Sequence, residues 1–222
     1  IAGPGDPSDR FGYWPGRLRR GGDVLVPEAP GLRVQVIDVD DLADFIASAG
    51  RRGTVGVVNA VGASLPFAHV LTRTAGVTGF DGRLVAASEE WLLAHDVGYW
   101  MGERSLPLWL PATEVGFATR SNAAYRAAGG VVRPIDDMIA RVLADELERG
   151  LDRARRSGLE PSEERALLAE LKAWVDIESH TPDVAGVNAM ADRAETYAKA
   201  CGFAVERRQG KPGYGDVLIV RS

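Results

Sequence analysis

Residues 82–97 read GRLVAASEEWLLAHDV and place a strand directly before a helix. The apolar run that ends at Ala87 has strand character, and Ser88 is a typical helix N-cap. Glu89 and Glu90 follow in the first turn, where the helix dipole favours negative charge. The stretch therefore predicts a strand followed at once by a helix.

The same alternation extends to both sides of this stretch. Residues 32–38 and 54–61 are apolar runs of strand character, and the second is bounded by glycines, as in a buried parallel strand. Residues 40–49 and 135–150 have helical periodicity. The apolar positions of the longer helix are Ile135, Met138, Ile139, Val142 and Leu143. Strands that alternate with helices predict an α/β fold with a parallel sheet.

Composition narrows the class of partner. The 222 residues carry 26 basic and 31 acidic side chains, a net charge of -5, which disfavours nucleic acid and anionic membranes. No apolar run is long enough to cross a bilayer, and we expect a cytoplasmic protein. Short basic clusters are expected to be solvated. These clusters are Arg17-Arg19-Arg20, Arg51-Arg52 and Arg153-Arg155-Arg156.

Metal and disulfide chemistry have little support in the sequence. The single cysteine, Cys201, excludes an internal disulfide, and its position on an apolar helix face predicts that it is buried. The three histidines, His69, His95 and His180, are scattered, with no His-x-Asp pair. We therefore predict no metal ligand and no bound zinc.

One glycine pattern has the spacing of a dinucleotide-binding loop. Gly76, Gly79 and Gly82 are three residues apart, but a helix enters this loop and a strand leaves it, which is the reverse of the order that binds a pyrophosphate. A plain helix-to-strand turn is favoured. No Tyr is followed four residues later by Lys, so the sequence predicts neither cofactor-binding nor catalytic residues.

An aromatic and charged group near the beginning of the sequence has two open interpretations. It either lines a pocket or packs in the interior. Its members are Asp9, Arg10, Phe11, Tyr13, Trp14 and Arg17.

Several segments resemble the NAD-dependent epimerase/dehydratase family, the extended or atypical short-chain dehydrogenases. They are GPGDPSDRFGYWPGRLRRGGDVLVP (3–27), IDVDDLA (37–43), NAVG (59–62), PLWLP (107–111) and RPIDDMIARVL (133–143). The resemblance implies that residues 1–160 form the remnant of a Rossmann-type parallel sheet with a small substrate-binding lobe. It implies NAD(P) for the intact parent enzyme and a small-molecule substrate. It also implies substrate-pocket walls at Asp9, Arg10, Tyr13, Trp14 and Arg33.

Composition changes around residues 150–161, where we place a domain boundary. Residues 167–222 resemble the N-terminal part of zinc-dependent carboxypeptidases and aminoacylases, on the pattern of Glu178, Ser179, Thr181 and Asp183. The resemblance implies that residues 161–222 form the helix-helix-strand start of a second α/β domain, and zinc for the intact relative. From the residues themselves, Asp183 is favoured as a helix cap.

We therefore expect two incomplete pieces, the larger from an epimerase/dehydratase or reductase, which is not catalytically competent by itself. The alternatives are a fragment of a metallohydrolase and a non-catalytic binding module. Strand 54–61 and strand 216–221 are expected to lack neighbouring strands. Their exposed backbone and apolar side chains predict self-association.

Overall fold

The computed structural model describes residues 1–221 and divides into two compact units, Ile1–Glu164 and the residues from Arg165 onward. The composition of the sequence predicted a domain boundary between residues 160 and 161. The two compact units meet four residues later along the chain, inside the helix that runs from Pro161 to Val175.

The first unit contains helices and short strands in alternation. Its helices are α1 (Arg10–Arg19), α2 (Val39–Arg52), α3 (Phe67–Thr78), α4 (Glu89–Ala94), α5 (Ala123–Ala127), α6 (Ile135–Arg149) and the start of α7 (Pro161–Val175). Its strands are β1 (Asp23–Pro27), β2 (Arg33–Gln35), β3 (Ser64–Pro66), β4 (Arg83–Ala87), β5 (Gly98–Trp100) and β6 (Ser105–Pro107).

The strand pairing confirms the α/β class and the parallel pairing that the alternation of strands and helices predicted. Strands β1 and β4 run parallel, with Asp23 opposite Arg83 and Pro27 opposite Ala87. Strands β5 and β6 are also parallel, whereas β2 and β3 are antiparallel. Within residues 1–221 each sheet has two strands, so the predicted parallel pairing is present in short two-stranded sheets.

The strand predicted at 54–61 is wrong. This segment has no regular secondary structure, and Val55 and Val57 are 94% and 97% exposed. An apolar run becomes a strand only where a neighbouring strand accepts its backbone hydrogen bonds. No strand in the described chain pairs with it.

The predicted turn around Gly76, Gly79 and Gly82 is confirmed. Helix α3 ends at Thr78, and Gly79 closes it with φ 66°, a left-handed conformation that glycine adopts without steric cost. Strand β4 then begins at Arg83. The local order is helix, turn, strand.

The core of the first unit is built where α1 packs against α3 and α6. The Trp14 ring meets the rings of Tyr13 and Phe67 edge-on, at centroid distances of 5.0 and 5.5 Å. Met138, Ile139 and Val142 of α6 are buried, as its periodicity predicted.

The second unit contains the rest of α7, helix α8 (Val184–Ala200) and the antiparallel strands β7 (Ala204–Arg208) and β8 (Val217–Arg221). The Asp183 side chain accepts a hydrogen bond from the Gly186 N–H, which confirms the helix cap.

Two expectations for the second unit are wrong. Cys201 is exposed, because it lies just past the last turn of α8. Strand 216–221 has a partner within the chain, because β7 pairs with it.

Self-association stays a prediction, now on a different basis. Val217 and Val220 of β8 are 54% and 49% exposed although the strand is paired. Exposed apolar strands are templates for pairing with another chain. We expect Val220→Lys to reduce the weight-average mass measured by sedimentation equilibrium. The control Val175→Lys, at an exposed position on α7, should not change it. A mass equal to that of the monomer at every concentration of the unmodified chain would contradict the prediction.

Candidate functional site

A cavity of about 240 Å³ opens past the carboxyl ends of the parallel strands β1 and β4. The register places Pro27 beside Ala87, and the Glu28 N–H donates to the Ala87 carbonyl oxygen over 2.8 Å. The segments that follow the two strands therefore leave the sheet side by side. The cavity is lined by Glu28, Ala29, Pro30, Leu32, Ser88, Glu89, Glu90, Trp109, Leu110, Pro111, Ala112 and Val115.

Local sequence explains why the chain opens at this edge. Ser88 stops β4 and caps α4, because its hydroxyl accepts a hydrogen bond from the Trp91 N–H over 3.2 Å. On the other side, a turn closed by the Leu32 N–H on the Ala29 carbonyl oxygen carries the chain away from β1. Two strand ends and two diverging loops leave a concave surface.

The apolar wall of the cavity is held by buried aromatic residues. Trp109 is 1% exposed, and the centroid of its ring lies 4.2 Å from the ring centroid of Tyr99. Trp14, buried in α1, donates from Nε1 to the Pro107 carbonyl oxygen over 2.8 Å. This bond ties the β6 end of the wall to the core of the unit.

The ionisable groups of the lining residues are three carboxylates, those of Glu28, Glu89 and Glu90. The Tyr99 hydroxyl donates a hydrogen bond to Glu89. Burial, together with this hydrogen bond and the negative charge of Glu89, raises the pKa of Tyr99 to about 12. Tyr99 therefore stays neutral at neutral pH and retains the proton that it donates to Glu89.

The five residues implied as substrate-pocket walls do not line this cavity. Asp9, Tyr13 and Trp14 are at most 3% exposed and take part in internal packing and bonding. Arg10 lies over the Trp100 ring, 5.4 Å from its centroid, and Arg33 donates two hydrogen bonds to Ser64 across the β2–β3 pair. That the five residues face a substrate stays a prediction.

Asp9 belongs to a buried ionic network that joins α1 to α6 and the segment after it. Glu146, 1% exposed, accepts hydrogen bonds from Arg153 and, over 2.6 Å, from Arg155. Asp9 accepts hydrogen bonds from Arg149, Arg153 and the Arg156 N–H. The expectation that the cluster at 153–156 is solvated is wrong for Arg155, whose side chain is 7% exposed, because Glu146 compensates its charge inside the unit.

The ionisation of Asp9 is linked to folding. Burial alone would raise its pKa, but the hydrogen bonds and positive charges of the arginines outweigh burial, and the pKa lies below the ordinary value of 3.8. A carboxyl group with a lowered folded-state pKa contributes stability above its unfolded-state pKa. This contribution is lost as the pH falls through the folded-state pKa.

A second cavity of the first unit, about 310 Å³, lies near the start of α2. Asp38 and Asp41 line it, but both carboxylates are bonded to arginines, Asp41 to Arg133 and Asp38 to Arg141. This second cavity does not lie at the carboxyl ends of two paired parallel strands. The cavity past β1 and β4 is therefore the stronger candidate.

This cavity was not predicted from the sequence, although the sequence contains a signal for it. Each of two parallel strands is followed by polar residues, Glu28 in one case and Ser88 with Glu89 in the other. Only the pairing of β1 with β4 brings these residues together, because 55 residues lie between Pro27 at the end of β1 and Arg83 at the start of β4.

Neither metal binding nor membrane insertion has a structural signal in residues 1–221. No three His, Cys, Asp or Glu side chains in that range are grouped so that they could hold a metal ion. None of the helices in the described range combines the length and apolar character that crossing a bilayer requires.

No protein-family model matches the sequence, and no curated protein matches it. One solved structure, that of RMD from Pseudomonas aeruginosa complexed with NADPH, is similar at 14% sequence identity with a TM-score of 0.47. The similarity covers 67% of this chain and 46% of the RMD chain, so this chain spans less than half of that structure. A similarity at this level does not assign a function, and no comparison supports the resemblance to metallopeptidases.

Proposed function

We propose that residues 1–164 are the substrate-binding part of an NAD(P)-dependent epimerase/dehydratase or reductase. The cavity past β1 and β4 is the substrate pocket in this proposal. An intact enzyme of this class transfers a hydride between the nicotinamide and a carbon that bears a hydroxyl or carbonyl group.

The position of the cavity is the observation that carries the proposal. In open α/β sheets, ligands bind in the crevice outside the carboxyl ends of the parallel strands. Glu28 and Ser88, which directly follow the paired strand ends Pro27 and Ala87, line this cavity. Buried apolar walls with a few polar groups are also the usual composition of a small-molecule site.

The residues of this chain give the substrate a surface and an orientation. Trp109 and Leu110 supply apolar contact, and the Ser88 and Glu89 side chains supply polar contact at one end. Trp109 is held by packing against Tyr99, so the pocket wall is in place before a ligand arrives.

The glycine turn at 76–82 does not have the order of elements that binds a dinucleotide. The glycine turn at 76–82 leads from α3 into β4, so no helix N-terminus follows it to meet a pyrophosphate. This chain therefore supplies substrate binding, and the cofactor is bound elsewhere in the intact enzyme.

We accordingly predict that the chain binds neither NAD(H) nor NADP(H) tightly. The expected Kd is about 1 mM or weaker, because favourable contacts to the pyrophosphate are missing. Isothermal titration calorimetry with each dinucleotide measures it. A micromolar Kd would show that this chain carries a cofactor site.

The substrate pocket is tested by blocking it. Benzyl alcohol and acetophenone serve as hydroxyl and carbonyl probes, and saturation-transfer NMR reports their binding to the full chain. Ala112 is exposed and lines the cavity, so Ala112→Trp should abolish the signal without unfolding the unit. Ala94→Trp, at an exposed position of α4 outside the lining, is the matched control. Binding that Ala112→Trp leaves unchanged would refute the proposal.

A further inference from the structure

The charges that line the cavity past β1 and β4 restrict the charge of the ligand that it can bind. This inference rests on the proposed function. All the charged groups among the lining residues are carboxylates, of Glu28, Glu89 and Glu90, and the lining contains no Lys, Arg or His. Carboxylates are ionised at neutral pH. A concave surface with charges of one sign concentrates their field on whatever enters it.

Three arginines from nearby parts of the sequence are bonded to other groups. Arg33 donates to Ser64, and Arg83 forms an ion pair with Asp23 at the opposite end of the β1–β4 pair. Arg104 donates to the His95 carbonyl oxygen and to Glu163. None of the three lines the cavity. No basic side chain of the lining compensates the negative charge, so a cationic ligand would gain from it.

The cavity also lacks the groups that recognise phosphate. Phosphate sites use arginine or lysine side chains, or backbone N–H groups at a helix N-terminus. The first turn of α4 carries Glu89 and Glu90, whose negative charges would repel an anion at this helix start. A phosphorylated ligand would add two like charges to three.

The remaining walls determine the body of the ligand. They are apolar and rigid: Leu32 and Trp109 are buried, and Pro30 and Pro111 restrict the two loops. A volume of about 240 Å³ accommodates a compact molecule. We propose that the cavity takes a small organic cation, an amine with an apolar body, and discriminates against phosphorylated substrates.

Three ligands of similar shape and different charge test the inference. Benzylamine, benzyl alcohol and benzyl phosphate are titrated into the full chain by ligand-observed NMR. We expect benzylamine to bind on the order of tenfold more tightly than benzyl alcohol, and benzyl phosphate on the order of tenfold more weakly than the alcohol. Because exposed charges are screened, the preference should shrink when the salt concentration rises.

Neutral variants of the lining identify the source of the preference. Glu28 and Glu90 are exposed, so the double variant Glu28→Gln/Glu90→Gln should fold normally and lose most of the tenfold preference for the amine. Glu148→Gln, which removes an exposed charge from α6, is the control and should leave it unchanged.

The outcomes separate the two proposals. Equal binding of the amine and the alcohol, or tightest binding of the phosphate, would overturn the charge selectivity and leave the substrate pocket standing. Failure of all three ligands to bind would overturn the pocket itself.

Discussion

Glu146→Gln is expected to lower the free energy of unfolding of the first unit by about 3–5 kcal/mol, the usual cost of removing one partner from a buried ion pair. Glu146 is 1% exposed and carries hydrogen bonds from Arg153 and Arg155. Glutamine has the same shape but no charge. Its side chain therefore presents an amide N–H₂ or a neutral oxygen to the guanidinium groups of Arg153 and Arg155. The positive charge of Arg155 then stays buried without compensation.

Tryptophan fluorescence in urea can measure this loss for the first unit alone. Of the five tryptophans, Trp174 lies in the second unit, so a Trp174→Phe background confines the signal to residues 1–164. The matched control is Glu148→Gln, two positions along α6 and exposed, for which a change within about 0.5 kcal/mol is expected.

A double variant distinguishes the ionic network from a general sensitivity of α6. Arg155→Met in the Glu146→Gln background removes the uncompensated charge, so it should recover part of the lost stability. If Glu146→Gln costs no more than the control, the network does not stabilise the unit.

Gly12→Ala is expected to destabilise the first unit by about 1–3 kcal/mol, the usual cost of overpacking a filled interior. A Cβ atom at this position of α1 would lie 2.3 Å from Oε1 of Glu146. The carboxylate cannot easily move away, because Arg153 and Arg155 hold it. Alanine favours helix more than glycine does, so intrinsic propensity alone predicts the opposite sign.

The control for Gly12→Ala is the same substitution where there is room. Gly50 lies in α2, and a Cβ atom there would meet no atom within 4 Å. Gly50→Ala should therefore stabilise the unit by roughly 0.5–1 kcal/mol. Both variants are measured by the fluorescence assay above.

Removing the obstacle tests the cause. In a Glu146→Ala background the carboxylate is gone, and Gly12→Ala should cost nothing further. A cost that persists in this background would place the clash elsewhere in the packing of α1.

Local chemistry by itself determined a large part of this protein. Ser88 caps a helix because a hydroxyl can accept a hydrogen bond from the free N–H groups of the first turn, and Asp183 does the same in the second unit. The buried face of α6 follows from apolar residues at helical spacing. These signals depend on neighbours within four residues, so they can be read without the fold.

Tertiary structure decided whatever depends on a distant partner. Residues 54–61 have the composition of a strand, but no strand in the described chain pairs with them. Arg155 is of a residue type usually found at the surface, but it is buried because it pairs with the buried carboxylate of Glu146. The candidate pocket exists because β4 lies parallel to β1, which brings Glu28 and Glu89 to the same cavity. Hydrogen-bond partners, counter-charges and cavity walls come from segments far apart in the chain, and only folding sets their distances.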